Sequence, residues 1–598
     1  MYSDYFPFVE KMYIAYYQRP ADIDGLICWS KQLESANGDM TKIIDAFANF
    51  DESKHLYGGL SIKDQINAIY KAAFNRDADI EGLNWYETQI KEKKASLESL
   101  ALDIINGARN EDLQTLTNKL ITSLNFTYST SPGFEEDNKV VTYSGYNDIY
   151  YAKELLKNVD KDIFSVYTVS QINKFLKNYI ADTGDQIYEY DNNKKIPFPE
   201  EINSLLINNG AKINKKIITY SFNKTIPKEY YVNKEYTDNW HEFSETEKNY
   251  VRDIFNYLSS ILDVTFKEIE NGGDIRFNKV NTQKDVGGFT LQEFDGKNIL
   301  TEGIGSDVFL SNYILIPSQK YDVLLHEIGH ALGLKHPFEG YPVLPENKDS
   351  YLYTVMSYNQ EEMYMPDIIA KNGLYSLNFD YIGRDVYGLY DIEALKYLYG
   401  SKDVNIQNNI YNLSGLIDNY RFGVINDSGG TDIIDASQSS YLNEINLSPN
   451  TLSSVNEHFP VEYLKSNVVF YPQTVQDSLV SDAVNYIKNN NLEKYIYTGK
   501  NVLAITDSLI EDYNGGSGED IVYDNSGDNI IVTNEGNDII YLSGSNDLVV
   551  GGDGIDEVEI KESEKFNSFK EGDINVFYNQ NDIFVLNSVE NIHFMDMV

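Results

Sequence analysis

Between residues 515 and 556 the same polar position returns every ninth residue: GGSGEDIVY, DNSGDNIIV, TNEGNDIIY, LSGSNDLVV and then GGDGID bring Asp520, Asn529, Asp538, Asp547 and Asp556 into register. Apolar Ile521, Ile530, Ile539 and Leu548 follow the first four. Such short apolar runs between glycine-rich turns suit brief strands of a coil that winds in parallel, and they do not suit a helical face. In this pattern the glycines make turns whose carbonyls, with the Asp carboxylates, hold Ca2+ between successive coils, while the apolar side chains fill the interior. Asp524, Asn525 and Asn529 stand where the pattern wants Gly, Gly and Asp, and Leu542 and Ser543 depart again, so two to four sites are expected rather than a full ladder. Upstream, NDSGGTDIIDAS at 426–437 sets Asp427, Asp432 and Asp435 beside Gly429 and Gly430.

The 598-residue chain is too long for one small core, and its formal net charge of −43 repels phosphate backbones and anionic lipid. Nucleic acid is therefore not expected as a partner. The lone Cys28 forbids an intramolecular disulfide and a thiolate zinc cluster, which leaves bound cations as the stabiliser of an exported chain. Because the thiol follows a turn in a helical repeat, it is expected to be packed. The first residues carry no basic stretch followed by an apolar one, and no long apolar run occurs, so neither Sec export nor a transmembrane segment is expected.

Residues 1–120 contain a twofold repeat, YIAYYQRPADIDGL at 13–26 and YKAAFNRDADIEGL at 70–83, which predicts helices around a shared ADI(D/E)GL turn. Asp22 with Asp24, and Asp79 with Glu81, fall short of a calcium loop, which needs more oxygens. Residues 121–213 are polar and rich in Asn, Lys and Tyr, with an amphipathic patch at Val169–Tyr179, and read as a linker or propeptide-like region. From 214 the pattern turns α/β. A strand is expected at 217–222, and Ser244 with Glu247 forms a capping box before a helix that faces Val251, Ile254, Phe255, Leu258, Ile261 and Leu262 inward. Strands at 263–266 and 274–277 follow.

Residues 323–337, VLLHEIGHALGLKHP, place His326 and His330 one turn apart on a helix, where both imidazoles can face one ion. Gly333 can adopt positive φ, ending the helix and bringing His336 back as third ligand. Three neutral nitrogens leave a fourth position for water, the open arrangement of a catalytic zinc. Glu327, next to the first ligand, is placed as general base for a zinc-activated water. Three of the chain's seven histidines fall at this spacing, which makes chance a poor explanation.

Downstream, TVMSY at 354–358 adds an independent element, and here the sequence resembles the metzincins, whose long histidine motif is followed by a methionine turn. The resemblance implies that Met356 floors the metal site and that Tyr358 is a possible fifth zinc ligand that swings to the oxyanion. GGFTLQEF (287–294), GSDVFLSN (305–312) and GLYDIEALKYLYG (388–400) resemble the serralysin branch in particular, which implies a peptide bound extended along an edge strand. The segments between His336 and Met356 and over 361–381 depart from that family. The nonapeptides match its C-terminal region, and NDSGGTDIIDAS at 426–437 resembles the first calcium-binding turn after its protease domain, which implies Asp427, Asp432 and Asp435 as calcium ligands. SVENIHFMDMV at 588–598 resembles the terminal signal of type I secreted RTX proteins. The N-terminal repeat resembles a helical domain of unknown function found in bacterial surface-layer and RTX-type proteins.

The expected fold is multidomain α+β: a helical repeat domain at 1–120, a linker or propeptide-like region at 121–213, an α/β metzincin zinc protease domain at 214–400, and a parallel β-roll with RTX calcium repeats at 401–598. The expected function is a calcium-stabilised zinc endopeptidase with one catalytic Zn2+ and several structural Ca2+, exported by type I secretion machinery. It would be secreted or surface-associated, acting on extracellular or surface-layer proteins. The competing expectation is a structural or adhesive surface-layer protein with an idle protease domain. Glu327 argues against it, because a binding role needs no general base.

Overall fold

The structure is a computed structural model. It describes residues 2–595 apart from short stretches within 41–58, 131–148, 182–198, 284–285, 296, 303–304, 340–341, 360–362, 372–373, 420–421, 458–463, 466–467, 470, 493–500, 562–565 and 580–581. The terminal Asp596, Met597 and Val598 lie outside the described residues. Chain contacts divide the molecule into two compact units, Asn192–Tyr523 and Met1–Asp191 with Asp524–Val598.

In the first unit, hydrophobic strand residues assemble a five-stranded sheet in the order Thr265–Glu268, Ile217–Phe222, Ile275–Val280, Val308–Ser311, Gly288–Thr290. The first four run parallel, and Gly288–Thr290 lies antiparallel to Val308–Ser311 at the edge. The helix Glu245–Ile261 opens with the expected box: Glu247 N donates to Ser244 Oγ, and Ser244 N donates to Glu247 Oε2. Its 3/4 spacing buries Val251, Ile254, Phe255, Leu258 and Ile261 in one core with Phe277, Leu324, Ile328 and Leu395. Each such side chain contributes roughly 1.5–3 kcal/mol on burial. The helix Pro317–Ala331 starts with proline, whose missing N–H is no loss in a first turn, and lies against the sheet. Gly333 stops it with φ of 107°, and a Cβ there would stand 2.2 Å from Ala211 O, so both conformation and space require glycine.

The helix Leu389–Tyr399 closes this core. Beyond it, Ile410–Asn412, Ile433–Asp435 and Asp512–Asn514 pair in parallel. A second ladder joins Gly423–Asp427, Asn501–Asp507, Thr451–Glu457, Leu442–Asn446 and Asp520–Tyr523.

In the second unit, the repeated turn is a helix N-cap. Asp22 accepts from Gly25 N (2.8 Å) before Ile23–Ser35, and Asp79 accepts from Gly82 N (2.7 Å) before Ile80–Lys91. Cys28 departs from the expected packing and is exposed, with Gln32 Nε2 3.4 Å from its sulfur. Leu26 and Leu33 take the buried side of that helix, and the cysteine sits on the other side. Val169–Ala181 forms the expected helix, and Asp528 receives its Ser170 N–H (2.6 Å).

The nonapeptides of this unit alternate between two parallel ladders. Ile530–Glu535, Asn546–Asp553 and Ile583–Asn587 form one, and Ile539–Leu542, Glu557–Lys561 and Asn591–Met595 the other. Asn529 N reaches Asp547 and Asp538 N reaches Asp556, each 18 residues on, so two nonapeptides complete one coil. At Gly552 (φ 113°) a Cβ would collide with Asn534 O of the neighbouring coil at 1.8 Å. The N-terminal helices share a core with these strands: Phe6, Val9, Leu120 and Leu124 pack with Ile530, Leu548, Ile583 and Val585. Phe6 meets Phe569 edge-on, with ring centroids 5.8 Å apart.

Candidate active site

His326 and His330 project from one face of Pro317–Ala331, and the Gly333 turn returns His336 to them. Their three Nε2 atoms lie 3.1 Å from one another. Nδ1 of His326 is 2.8 Å from Val355 O and Nδ1 of His330 is 2.9 Å from Leu334 O, so each donates there and leaves Nε2 as an acceptor. Burial first, and then the neighbouring imidazoles, hold His326 well below the usual histidine range and His330 down to about 4. Three acceptor nitrogens facing one point need a cation. Their spacing is close to the roughly 3.3 Å edge of a tetrahedron with 2.0–2.1 Å zinc–nitrogen bonds. The donor set therefore fits zinc, and among the described residues this is the one group of three or more His, Cys, Asp or Glu that could hold a metal.

Beneath the histidines lies Met356, fully buried, with its sulfur against Gly329, where a Cβ would be only 2.8 Å away. The turn carrying it is pinned from Leu389–Tyr399: Asp391 accepts from Thr354 Oγ1, Val355 N (2.8 Å) and Gly388 N (2.9 Å). Val355 thus connects the closing helix to His326. Tyr358 is 64% exposed, its ring centroid 4.6 Å from that of His336 and 5.7 Å from that of His326. Phe338 stacks on His336 from another side, with centroids 5.2 Å apart.

Glu327 is buried, and burial pushes its carboxyl up to about 8, opposed by the Thr290 hydroxyl. Thr290 Oγ1 donates to Glu327 Oε2 (2.7 Å) and lies 2.9 Å from its carbonyl oxygen. Gln292 donates to His330 O. Thr290 and Gln292 belong to the edge segment singled out in the sequence, yet only the fold shows that they touch Glu327 and the His330 carbonyl. Asp391 likewise lies in a segment singled out in the sequence, 388–400, which carries no signal for its role.

The calcium candidates are placed as follows. Asp427 accepts from Gly429 N (2.7 Å) and Tyr411 OH, and Asp432 accepts from Asn409 N (2.7 Å). Both oxygens of Asp435 receive asparagine amides, and those of Asp520 receive Asn443 Nδ2 and Tyr513 OH. Asp538 is buried. In Asp547 and Asp556 a buried Oδ2 accepts no hydrogen bond, and burial raises both carboxyls. A buried carboxylate oxygen left without a donor fits a cation. At the departing positions, protein donors take over, with Asp524 accepting from Ser543 N (2.6 Å) and Oγ (2.7 Å).

Three convergent imidazoles with a buried carboxylate at their side form a candidate metal centre. In sequence, the chain is similar to serralysin-type metalloproteases. It is 28% identical to Serralysin of Proteus mirabilis over 48% of this chain and 55% of that protein. It is 26% identical to Metalloprotease AprA of Pseudomonas entomophila over 36% of this chain and 48% of that one, and 26% identical to Metallopeptidase AprA of Pseudomonas marginalis over 38% and 51%. The chain spans about half the length of the curated relatives it matches. The structure of myroilysin aligns with 33% of this chain and 99% of its own, at 16% identity and a TM-score of 0.18. Residues 45–113 match a domain of unknown function, DUF4214. Among the described residues, no helix is long and apolar enough to cross a membrane.

Proposed function

We propose that this chain is a zinc endopeptidase stabilised by calcium. The observation that carries the reading is the convergence of the His326, His330 and His336 Nε2 atoms beside Glu327. A zinc ion held by the three histidines would supply Lewis-acid activation of water and of the scissile carbonyl. Gly288–Thr290, at the sheet edge, offers unpaired backbone groups along which an extended peptide can lie. Glu327 takes the proton of the attacking water and hands it to the departing amine, while Thr290 fixes the orientation of the carboxylate. Tyr358, a candidate fifth ligand, would stabilise the developing oxyanion with its hydroxyl.

The nonapeptide coils are proposed to be an RTX β-roll whose calcium is held by Asp538, Asp547 and Asp556, with Asp427, Asp432, Asp435 and Asp520 serving the upstream turns. Secretion by type I machinery and surface-layer or other extracellular substrates complete the proposal. The similarity to serralysin-type enzymes supports the reaction, and the orphaned Asp547 and Asp556 oxygens support the calcium. The test is hydrolysis of casein by purified protein in calcium, alongside Glu327→Ala and a zinc chelator. Both controls should abolish activity; casein cleavage surviving in either would sink the mechanism.

A further inference from the structure

The third ligand is held differently from the other two. His326 and His330 sit on one helix and donate through Nδ1 to main-chain carbonyls. His336 follows a turn, and among the described residues its Nδ1 has nearby only the carboxylate of Glu339 (3.1 Å), a side chain 59% exposed. Beyond the half-exposed Phe338 and Tyr358 rings, its position depends on what fixes the backbone of residues 333–336.

That backbone is gripped from upstream of the catalytic core. Ile207 N donates to Gly333 O (3.0 Å) and Lys335 N donates to Leu205 O (2.8 Å), which closes an antiparallel bridge between Leu206 and Leu334. Ala211 O closes off Gly333 on the same side. The Lys335 ammonium then ties both strands together, reaching Ser204 O (2.6 Å), Glu339 O (2.6 Å), Pro342 O (3.1 Å) and His336 O (3.3 Å). The gripping segment is itself anchored. Leu205, Leu206, Ala211 and Ile213 are buried in the catalytic core, and Tyr399 OH accepts from Ile213 N and donates to Leu332 O.

We propose that residues 199–213 are a brace for the third zinc ligand, with Lys335 as its positioning residue, so that this stretch is an integral part of the catalytic unit and not a disposable leader to it. The inference rests on the zinc-protease reading of the His326, His330 and His336 site. A strand bridge and an ammonium with four carbonyl partners restrain the turn where His336 has no buried partner of its own. Loss of either should let the imidazole wander and weaken the metal before it unfolds the domain.

The test uses the full chain. Lys335→Met removes the ammonium and keeps the stem. Ile207→Pro removes the N–H that Gly333 O accepts, at the first position of a 3-10 turn whose preceding residue, Leu206, already has the extended backbone a proline requires (φ −87°, ψ 125°). Leu258→Ala, in the helix core away from the brace, serves as a stability control. Zinc dissociation constants come from chelator competition, melting temperatures from the chelated proteins, and kcat and KM from peptide cleavage at limiting zinc. The two brace variants should weaken zinc about 10- to 100-fold, as loss of a ligand's supporting contacts does. They should lower kcat more than KM, and Lys335→Arg should recover part of the loss. Leu258→Ala should melt earlier with unchanged zinc affinity. Wild-type zinc affinity in both brace variants would overturn the brace and leave the protease reading standing. A wild-type chain that holds no zinc would overturn both.

Discussion

Glu327 receives the Thr290 hydroxyl at Oε2 (2.7 Å), and this contact sets what single substitutions should do. Glu327→Gln keeps the shape and loses the base, so kcat is expected to fall by about 10^2–10^4 with zinc content unchanged. Thr290→Val removes the one donor that lowers the Glu327 pKa. Burial then acts unopposed, the carboxyl rises, and a higher pH is needed to ionise it. The acid limb of kcat/KM should therefore move to higher pH, and a limb that stays in place or moves lower would remove Thr290 from the mechanism. Asp391→Ala frees Val355, Thr354 and Gly388 from a buried acceptor. It is expected to cost about 2–4 kcal/mol of stability and to weaken zinc through Val355 and His326. At this scale the sequence was most legible where two short motifs meet: His326, Glu327, His330 and His336 of the first and Met356 and Tyr358 of the second all reach one place. Thr290 and Asp391 were invisible because their partners lie far away in sequence, and only the sheet and the closing helix bring them together.

Among the elements, the helix Glu245–Ile261 shows how a local signal becomes a global one. Ser244 and Glu247 were expected as a capping box, but Glu247 also pairs with Lys279 and Lys320, 2.7 and 2.8 Å away. Burial alone would raise the Glu247 carboxyl, and the two lysines with Ser244 outweigh it, bringing it down to about 2. A pKa depressed in the folded state stabilises fully above the unfolded value near 4.5 and loses that contribution as pH falls toward 2. The loss amounts to about 2–3 kcal/mol across that window. Glu247→Gln should flatten the fall in unfolding free energy between pH 4.5 and 2, measured by urea titration at several pH values; an unchanged slope would assign the acid sensitivity elsewhere. Helix faces, caps and strand alternation were readable because each follows from a period of a few residues. The bridge between Leu206 and Leu334 follows from no period, and residues 199–213 carry no motif that announces their place beside the zinc turn.

For the whole molecule, calcium and the N-terminal helices both bear on the coil. Saturating calcium should raise the melting temperature, since an ion bound only by the folded chain adds about 2.7 kcal/mol at one hundred times its Kd. Asp547→Asn should remove a large share of that gain, as followed by calorimetry with and without chelator. The repeat at 515–556 made the coil legible, because each coil is two nonapeptides and needs no distant partner to declare itself. The shared core of Phe6, Leu120 and Leu124 with Ile530, Leu548 and Ile583 was not legible, since nothing local links the first helices to the last strands. Deleting residues 1–130 would bare that apolar face, so increased binding of a hydrophobic dye and a lower melting temperature are expected; a truncated chain as stable as the parent would show that the helices contribute little.

The most direct test of the zinc-protease reading is a metal titration of the stripped protein while cleavage of a quenched peptide is followed in calcium. Activity should return in proportion to zinc and level off at one equivalent, with His336→Ala and Glu327→Gln remaining silent at the same zinc content offered. A chain that binds one zinc tightly and cleaves nothing, or one that cleaves equally well without metal, would contradict it.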